Sequence, residues 1–391
     1  MIANKHVEDL FFRRRRLQKA IAESDVDGIL LTTDVNVYYM TGIVFNGYYY
    51  LPAEGEPVLF VKRPDGLSGD RLFSIRKIEQ IPELLLSTGQ PLPEKILLET
   101  DVISYNECMR LREAFGFKVI ENASTLMRRI RMVKSPWEIS RLRISAEKHA
   151  ETYSSIRSCY RPEMTDLMFQ AEIERLMRLN GSIGLFRVFG SNMSIFMGSI
   201  LTGDNAQMPS PYDFALGGAG QTDICPIGAN GTTIRDGMAV MVDMVGNYTE
   251  YMTDMTRVFS LGKIPELALR AHRVSIEINE VVEMTAQPGV RCDDLYNLAF
   301  SMAKKAGLTE YFMGTRRQAR FVGHGIGLEI NEPPVLTPRS TEILEPGIAF
   351  ALEPKFVIPH VGAVGIENSF LVTENAVEKL TRFPEEIIPL D

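Results

Sequence analysis

Apolar and polar positions alternate along the chain in two rhythms. Leu10, Leu17 and Ile21 fall on one face of a helical pattern that contains the basic run Arg13 to Arg16, whose charges are expected on the solvated face. GILLTT (28–33) is a short apolar run bounded by Asp and Asn, and YYYLP, EGEP and VLFVKR read as strand, turn and strand. KILLET and FKVIEN add two further strands, with a helical stretch from Tyr105 to Phe115 between them. The alternation predicts an α/β region at the N-terminal end.

ASTLMRRIRMV (123–133) reads as helix or extended connector, after which the texture changes. Ser135 before Pro136, with Glu138 three residues beyond the serine, has the N-cap, first-turn proline and capping-box pattern of a helix start. The domain boundary is therefore expected between Arg128 and Lys134, giving domains 1–130 and 131–391. Helical patterns over 137–158, 164–180, 265–286 and 291–306 alternate with turn-rich β segments. Helices, strands, helices and strands in that order predict an α+β fold with an antiparallel sheet, not a βαβ series.

Composition narrows the class. A chain of 391 residues calls for two domains, and 45% hydrophobic with 24% charged residues is ordinary globular usage. No apolar run has the length of a signal peptide or a membrane span, so a cytoplasmic protein is expected. A net charge of −8 disfavours nucleic acid as a partner. Cys108, Cys159, Cys225 and Cys292 have neither CxxC nor regular spacing, so reduced thiols are expected instead of disulfides or a zinc knuckle. The glycine-rich LGGAGQTD (216–223) lacks the following Lys-Ser/Thr of a phosphate loop and reads as an ordinary loop.

The chemistry concentrates in acidic residues set in apolar strands. Asp243 and Asp254 in MAVMVDMVGNYTEYMTDMTRVF flank a Gly-Asn turn signal, so a hairpin would make them cross-strand or diagonal neighbours. A carboxylate on a strand core costs several kcal/mol unless a cation pairs with it. Glu353 and Glu367 in FALEPKFVIPHVGAVGIENSFLV have position 360 as their midpoint, and a second hairpin there would set them opposite each other. His324, in the glycine-flanked turn of GHGIGLEINEPP, would add one nitrogen. Four carboxylates and an imidazole suit divalent manganese, cobalt, iron or zinc, and two such ions sharing a water would activate it.

These segments resemble the pita-bread metallopeptidases, the family of prolidase, aminopeptidase P and methionine aminopeptidase, with metal-free creatinase as a relative. DGILLTTDVNVYYMTG is similar to the creatinase/prolidase N-terminal domain, and VKSPWEISRLRISAE to the first catalytic helix. VDMVGNYTEYMTDMTRVF, GHGIGLEINEPP, LEPKF and GIENSFLVT place five ligand positions in the family order. The resemblance spans essentially the whole chain. It implies a pita-bread catalytic domain behind a smaller α/β creatinase/prolidase domain, and two divalent ions. Asp243 would hold one ion, His324 and Glu353 the other, and Asp254 and Glu367 would bridge them. Glu353 would also manage the proton of a bridging hydroxide that attacks a peptide carbonyl, commonly one preceding proline. A homodimer is implied as well.

Three positions depart from the family pattern. Asn331 and Glu332 stand where His-Glu is usual, no histidine occurs between His149 and His272 where QTDICPIGANG replaces a family histidine, and Gly365 takes the place of an arginine. Asn331 can donate a hydrogen bond to a carbonyl but cannot shuttle a proton, so it joins Glu353 as a catalytic candidate. His360 is either a compensating group or an exposed turn residue. The expectation is a metal-dependent hydrolase of a small peptide or peptide-like amide, of the Xaa-Pro type. The alternatives are a non-peptide hydrolase or lyase and a non-catalytic binding relative, the last disfavoured by five intact ligand positions.

Overall fold

In the computed structural model, which describes residues 7–190, 197–212 and 214–391, the GILL segment lies inside a six-stranded sheet. The strands are β1 (Gly28–Leu31), β2 (Asn46–Pro52), β3 (Val58–Arg63), β4 (Leu72–Ser74), β5 (Lys95–Leu98) and β6 (Val119–Asn122), in the order β4-β3-β2-β1-β5-β6. β1 pairs antiparallel with β2 and parallel with β5, and all four of its residues are buried, as an unbroken apolar run requires. This sheet belongs to the first of two units, Met1–Arg131, and the second is Met132–Asp391.

The helix Val7–Glu23 corrects the expectation for the basic run, whose flanking residues 1–6 lie outside the described residues. Of Arg13 to Arg16 only Arg15 is exposed. Arg13 shares a face with Leu17 and Ile21 because four-residue spacing stacks side chains along a helix. Its guanidinium pairs with Asp9 at 2.6 Å, donates to Tyr39 O at 2.8 Å and lies 4.4 Å from the Tyr39 ring centroid. The hydrophobic pattern also gives no sign of the helix Asp34–Thr41, six of whose eight residues are buried, leaving no polar stripe to mark its period.

The second unit opens on the helix Pro136–Tyr153, with the capping box in place: Glu138 N donates to Ser135 Oγ at 3.2 Å and Ser135 N to Glu138 Oε2 at 2.9 Å. Thr165 caps the helix Asp166–Leu179, and the helices Glu266–Thr285 and Cys292–Lys305 bury an alanine-rich apolar face in the core they share with the strands. The strands are β7 (Gly198–Thr202), β8 (Met238–Gly246), β9 (Thr253–Leu261), β10 (Gly323–Gly325), β11 (Glu332–Val335), β12 (Ala349–Leu352), β13 (Lys355–Ile358), β14 (Gly362–Gly365), β15 (Asn368–Val372), β16 (Val377–Lys379) and β17 (Ile388–Pro389). They form two sheets, β13-β14-β7-β8-β9-β17 and β11-β10-β12-β15-β16. Pairing is antiparallel throughout except where β17 adds parallel to β9. Among the described residues no helix is long and apolar enough to cross a membrane.

One hairpin ties the two sheets together. β13 pairs with β14 with Lys355 opposite Gly365, and β12 pairs with β15 with Leu352 opposite Asn368, so a single register runs across both sheets. The chain passes from one sheet to the other at Glu353-Pro354 on one arm and Ile366-Glu367 on the other. Both glutamates therefore sit where the sheets meet.

Candidate metal centre

Asp243 on β8 lies opposite Thr256, and Asp254 on β9 lies opposite Val245, which makes the two aspartates diagonal neighbours on one face. The hairpin crossover brings in Glu353 and Glu367. Glu367 bridges to β9 through its backbone, with its N–H donating to Thr256 O at 3.2 Å. His324, in the middle of β10, pairs with Ala351 of β12 and is thereby carried to the same place. Its Nε2 lies 3.5 Å from Glu353 Oε1 and 3.9 Å from Asp254 Oδ2.

The glycines beside His324 serve strand packing. A Cβ at Gly323 would stand 2.2 Å from Ala351 O, and one at Gly325 would stand 2.1 Å from Pro333 O. Only glycine lets β10 run between β11 and β12 at this spacing, and so the imidazole is fixed by its neighbours on both edges. His324 Nδ1 lies 3.2 Å from Gly325 O, and a proton placed there leaves the Nε2 lone pair facing the carboxylates.

A sixth residue, absent from the expected set, stands among the five. Lys355 Nζ donates to Asp243 Oδ2 at 2.7 Å, Glu353 Oε2 at 2.7 Å and Glu367 Oε2 at 2.9 Å, with its side chain 1% exposed. Burial alone would pull the lysine down, but Asp243, Glu353 and Glu367 outweigh it and hold the ammonium well above the ordinary lysine range. Burial pushes the Asp243 carboxyl up to about 6, against the pull of Lys355. Asp254 is pushed well above the carboxylate range by burial first and then by Glu367 and Asp243. The Asp254 carboxyl thus lacks a cation sufficient to offset its burial and the carboxylates around it, which is what raises it.

Arg257 supports the crossover from behind. It is wholly buried, and its five N–H groups reach Pro384 O, Thr256 O, Glu367 O, Asn368 Oδ1 and Phe383 O at 2.8–2.9 Å. Thr256 Oγ1 adds a donor to Glu367 Oε2 at 2.7 Å. Glu367 therefore has one saturated oxygen, whereas its Oε1 is buried without a partner.

That orphaned oxygen tests whether the residues suit a metal. Among the described residues two groups have ligand atoms near enough to share an ion: Asp254, His324 and Glu367, and Asp243, Glu353 and Glu367. The first joins two carboxylates and an imidazole around an uncompensated charge, which fits a divalent ion. The second already surrounds the Lys355 ammonium. The expected pair of ions meets a built-in cation at one of its two positions.

The other sequence candidates divide sharply. Asn331 Oδ1 accepts from Phe189 N at 2.7 Å and its Nδ2 donates to Phe189 O at 3.1 Å, so the amide clamps a neighbouring segment on both of its polar sides. Glu332 forms a buried ion pair with Lys134 at 3.0 Å. His360 is an exposed turn residue, 84% open, paired with Asp204 at 3.0 Å. At Gly365, where φ is +127°, a Cβ would meet Pro354 O at 2.7 Å. A cavity of about 450 Å³, lined by Met208, Tyr212, Phe214, Arg317 and Arg320 among others, contains none of the five expected ligands.

Two histidines outside the centre are held neutral. Burial pulls His149 down to about 3 and His272 to about 4 from the usual 6.5. His272 Nε2 lies 2.7 Å from Glu385 O and Nδ1 accepts from Gly365 N at 3.2 Å, whereas His149 Nε2 is buried with no partner. An unfolded chain takes up these protons as pH falls through 6.5, and the folded chain does not until pH 3–4. Their stability contribution is therefore present above pH 6.5 and is lost as pH falls towards that window. A His149→Phe variant, which keeps a ring against Tyr153, should narrow its stability gap to the parent by up to about 1.4 kcal/mol per pH unit below 6.5. Parallel denaturation curves at every pH would contradict this.

Known proteins share this arrangement of segments. The model for metallopeptidase family M24 matches residues 140–374, and that for the creatinase/prolidase N-terminal domain matches residues 13–133. The Xaa-Pro dipeptidase of Pyrococcus furiosus is 25% identical over 386 residues, 96% of this chain and 99% of that protein. Among solved structures, an Xaa-Pro dipeptidase from Bacillus anthracis matches with a TM-score of 0.79 at 24% identity, over 97% of this chain and 99% of its own. An X-Pro aminopeptidase from Thermotoga maritima gives 0.77 at 21%, over 96% and 99%. Those two likenesses establish the fold.

Proposed function

The chain belongs to metallopeptidase family M24, a pita-bread hydrolase domain behind a creatinase/prolidase N-terminal domain, and from that premise we propose that it cleaves the amide bond of a small peptide or peptide-like substrate. The observation that carries the reading is the convergence of Asp254, His324 and Glu367, with Glu367 Oε1 buried and unpartnered. These three residues would hold a divalent ion, manganese, cobalt, iron or zinc, with Glu353 beside them. Such an ion supplies Lewis acidity, polarising a carbonyl and making water more acidic.

The chain's own residues supply the rest. Glu353 Oε2 is held by Lys355, which leaves Oε1, on the His324 side, to accept and return a proton. Asn331 acts first as a positioning residue, because both polar sides of its amide hold the Phe189 backbone. Any contact it makes with a substrate carbonyl requires one of those bonds to be exchanged.

The Xaa-Pro preference of the named relatives is the first specificity to test. The spent amide of Asn331 favours one second reading, a non-peptide amide hydrolase or lyase on the same centre. Metal-loaded protein should cleave at least one member of a panel of Xaa-Pro dipeptides, general dipeptides and longer peptides with N-terminal Xaa-Pro. Activity confined to non-peptide amides would transfer the assignment to the second reading, and no turnover of either class would remove both.

A further inference from the structure

The Lys355 ammonium has the surroundings of a metal ion. Three carboxylates from three segments, Asp243 on β8, Glu353 at one arm of the crossover and Glu367 at the other, direct an oxygen at Nζ within 2.7–2.9 Å. An ammonium has three N–H donors and no acceptor, so all of its capacity is used. The same three residues constitute one of the two groups with metal-binding geometry.

Position along the strand explains how the lysine gets there. Side chains two residues apart on a strand share a face, so Lys355 points to the same side as Glu353. Its cross-strand partner is Gly365, where backbone and Ser275 Oγ leave no room for a side chain. Its backbone is pinned by Met313 N–H donating to Lys355 O at 2.8 Å. With its side chain 1% exposed and all three donors engaged, the ammonium cannot withdraw without stranding the buried acceptors on Glu353 and Glu367.

Charge alone does not choose between one ion and two, and the donors already in place decide. Asp243, Asp254, Glu353 and Glu367 carry four negative charges when ionised, which two divalent ions would cancel. With Lys355 among them, one divalent ion leaves a net charge of −1 and two leave +1, while three of the carboxylates have a donor already in place. Glu367 belongs to both groups and keeps an unpartnered Oε1, while Lys355 already fills the group with Asp243 and Glu353, which leaves Asp254, His324 and Glu367 for an ion.

We infer that Lys355 is a tethered replacement for one of the two cations of the centre, so that each chain binds a single divalent ion, at Asp254, His324 and Glu367. The inference rests on the metal-hydrolase reading above and specifies its centre further. A lysine contributes charge and hydrogen bonds but no open coordination position, so Lewis acidity comes from one site alone. Asp243 then orients the lysine instead of ligating metal.

The experiment is a metal count. Full-length protein is stripped with chelator, equilibrated with manganese(II) or zinc(II), and analysed by calorimetry and elemental analysis, with the manganese(II) spin-resonance spectrum recorded in parallel. One equivalent per chain, with the spectrum of an isolated manganese ion, is the expected result. Two equivalents with an exchange-coupled spectrum, or no bound ion, would overturn the inference on the parent protein alone. Lys355→Gly should raise the count to two, and an unchanged count of one in a folded variant would equally overturn it. The count is independent of the substrate: one ion without peptide cleavage removes the peptidase reading alone, whereas peptide cleavage with two ions removes this inference alone.

Discussion

Glu367→Gln is expected to lower kcat/KM by about 10³ or more against the best substrate of the panel, and to abolish metal-dependent stabilisation. Glu367 is the one carboxylate common to both groups of the centre, with Oε2 held by Lys355 and Thr256 and Oε1 unpartnered. Glutamine preserves the volume but removes the charge, and its NH2 must point either at the ammonium or at the metal position. Both placements replace an attraction by a repulsion. Parallel measurements of activity, bound metal and the rise in Tm on adding metal check this. A variant retaining metal and activity within about tenfold of the parent would place the essential carboxylate elsewhere.

Arg257→Met should destabilise the fold by about 3–5 kcal/mol in urea denaturation, because the change removes five hydrogen bonds of a fully buried guanidinium, to four carbonyls, two of them buried, and to the Asn368 amide oxygen. Those acceptors belong to the segments that hold Glu367 and Asn368 against β9, so the damage centres on the crossover. Arg257→Lys should recover only part of the loss, since an ammonium has three donors and cannot reproduce a planar fork with five. A loss below about 1 kcal/mol for the methionine variant would mean that other groups or water satisfy these carbonyls.

The centre was legible in the sequence to the extent that charge conflicts with burial. Asp243 and Asp254 stand out because a carboxylate within an apolar strand needs a reason, and a turn signal between them supplies a hairpin. The symmetry of Glu353 and Glu367 about position 360 survives as the continuous register of the second hairpin. Lys355 was available by the same logic, since it is two residues from Glu353 in a strand-like run and therefore on the same face. Within LEPKF the spacing alone does not say that the lysine and the acid meet at one point.

Other features depend on contacts that spacing does not report. The glycines beside His324 mark the close approach of three strands. Asn331 offers a carbonyl donor by its chemistry, but its partner is the backbone of Phe189, 142 positions earlier. Arg13 reads as solvated within a basic run, although its helical phase with Leu17 and Ile21 already placed it inwards. His324, read as part of a turn, lies in β10, and each of these residues has a partner from distant chain.

The most direct test of the account is hydrolysis of the best panel peptide by full-length protein, measured as isolated, after exhaustive chelation, and after return of manganese, cobalt, iron or zinc one at a time. Chelation should lower the rate by at least about 10², and one of the four ions should restore it. A rate unaffected by chelation and by every added ion would contradict it, and would leave Lys355 as the one cation on which catalysis at this centre could depend.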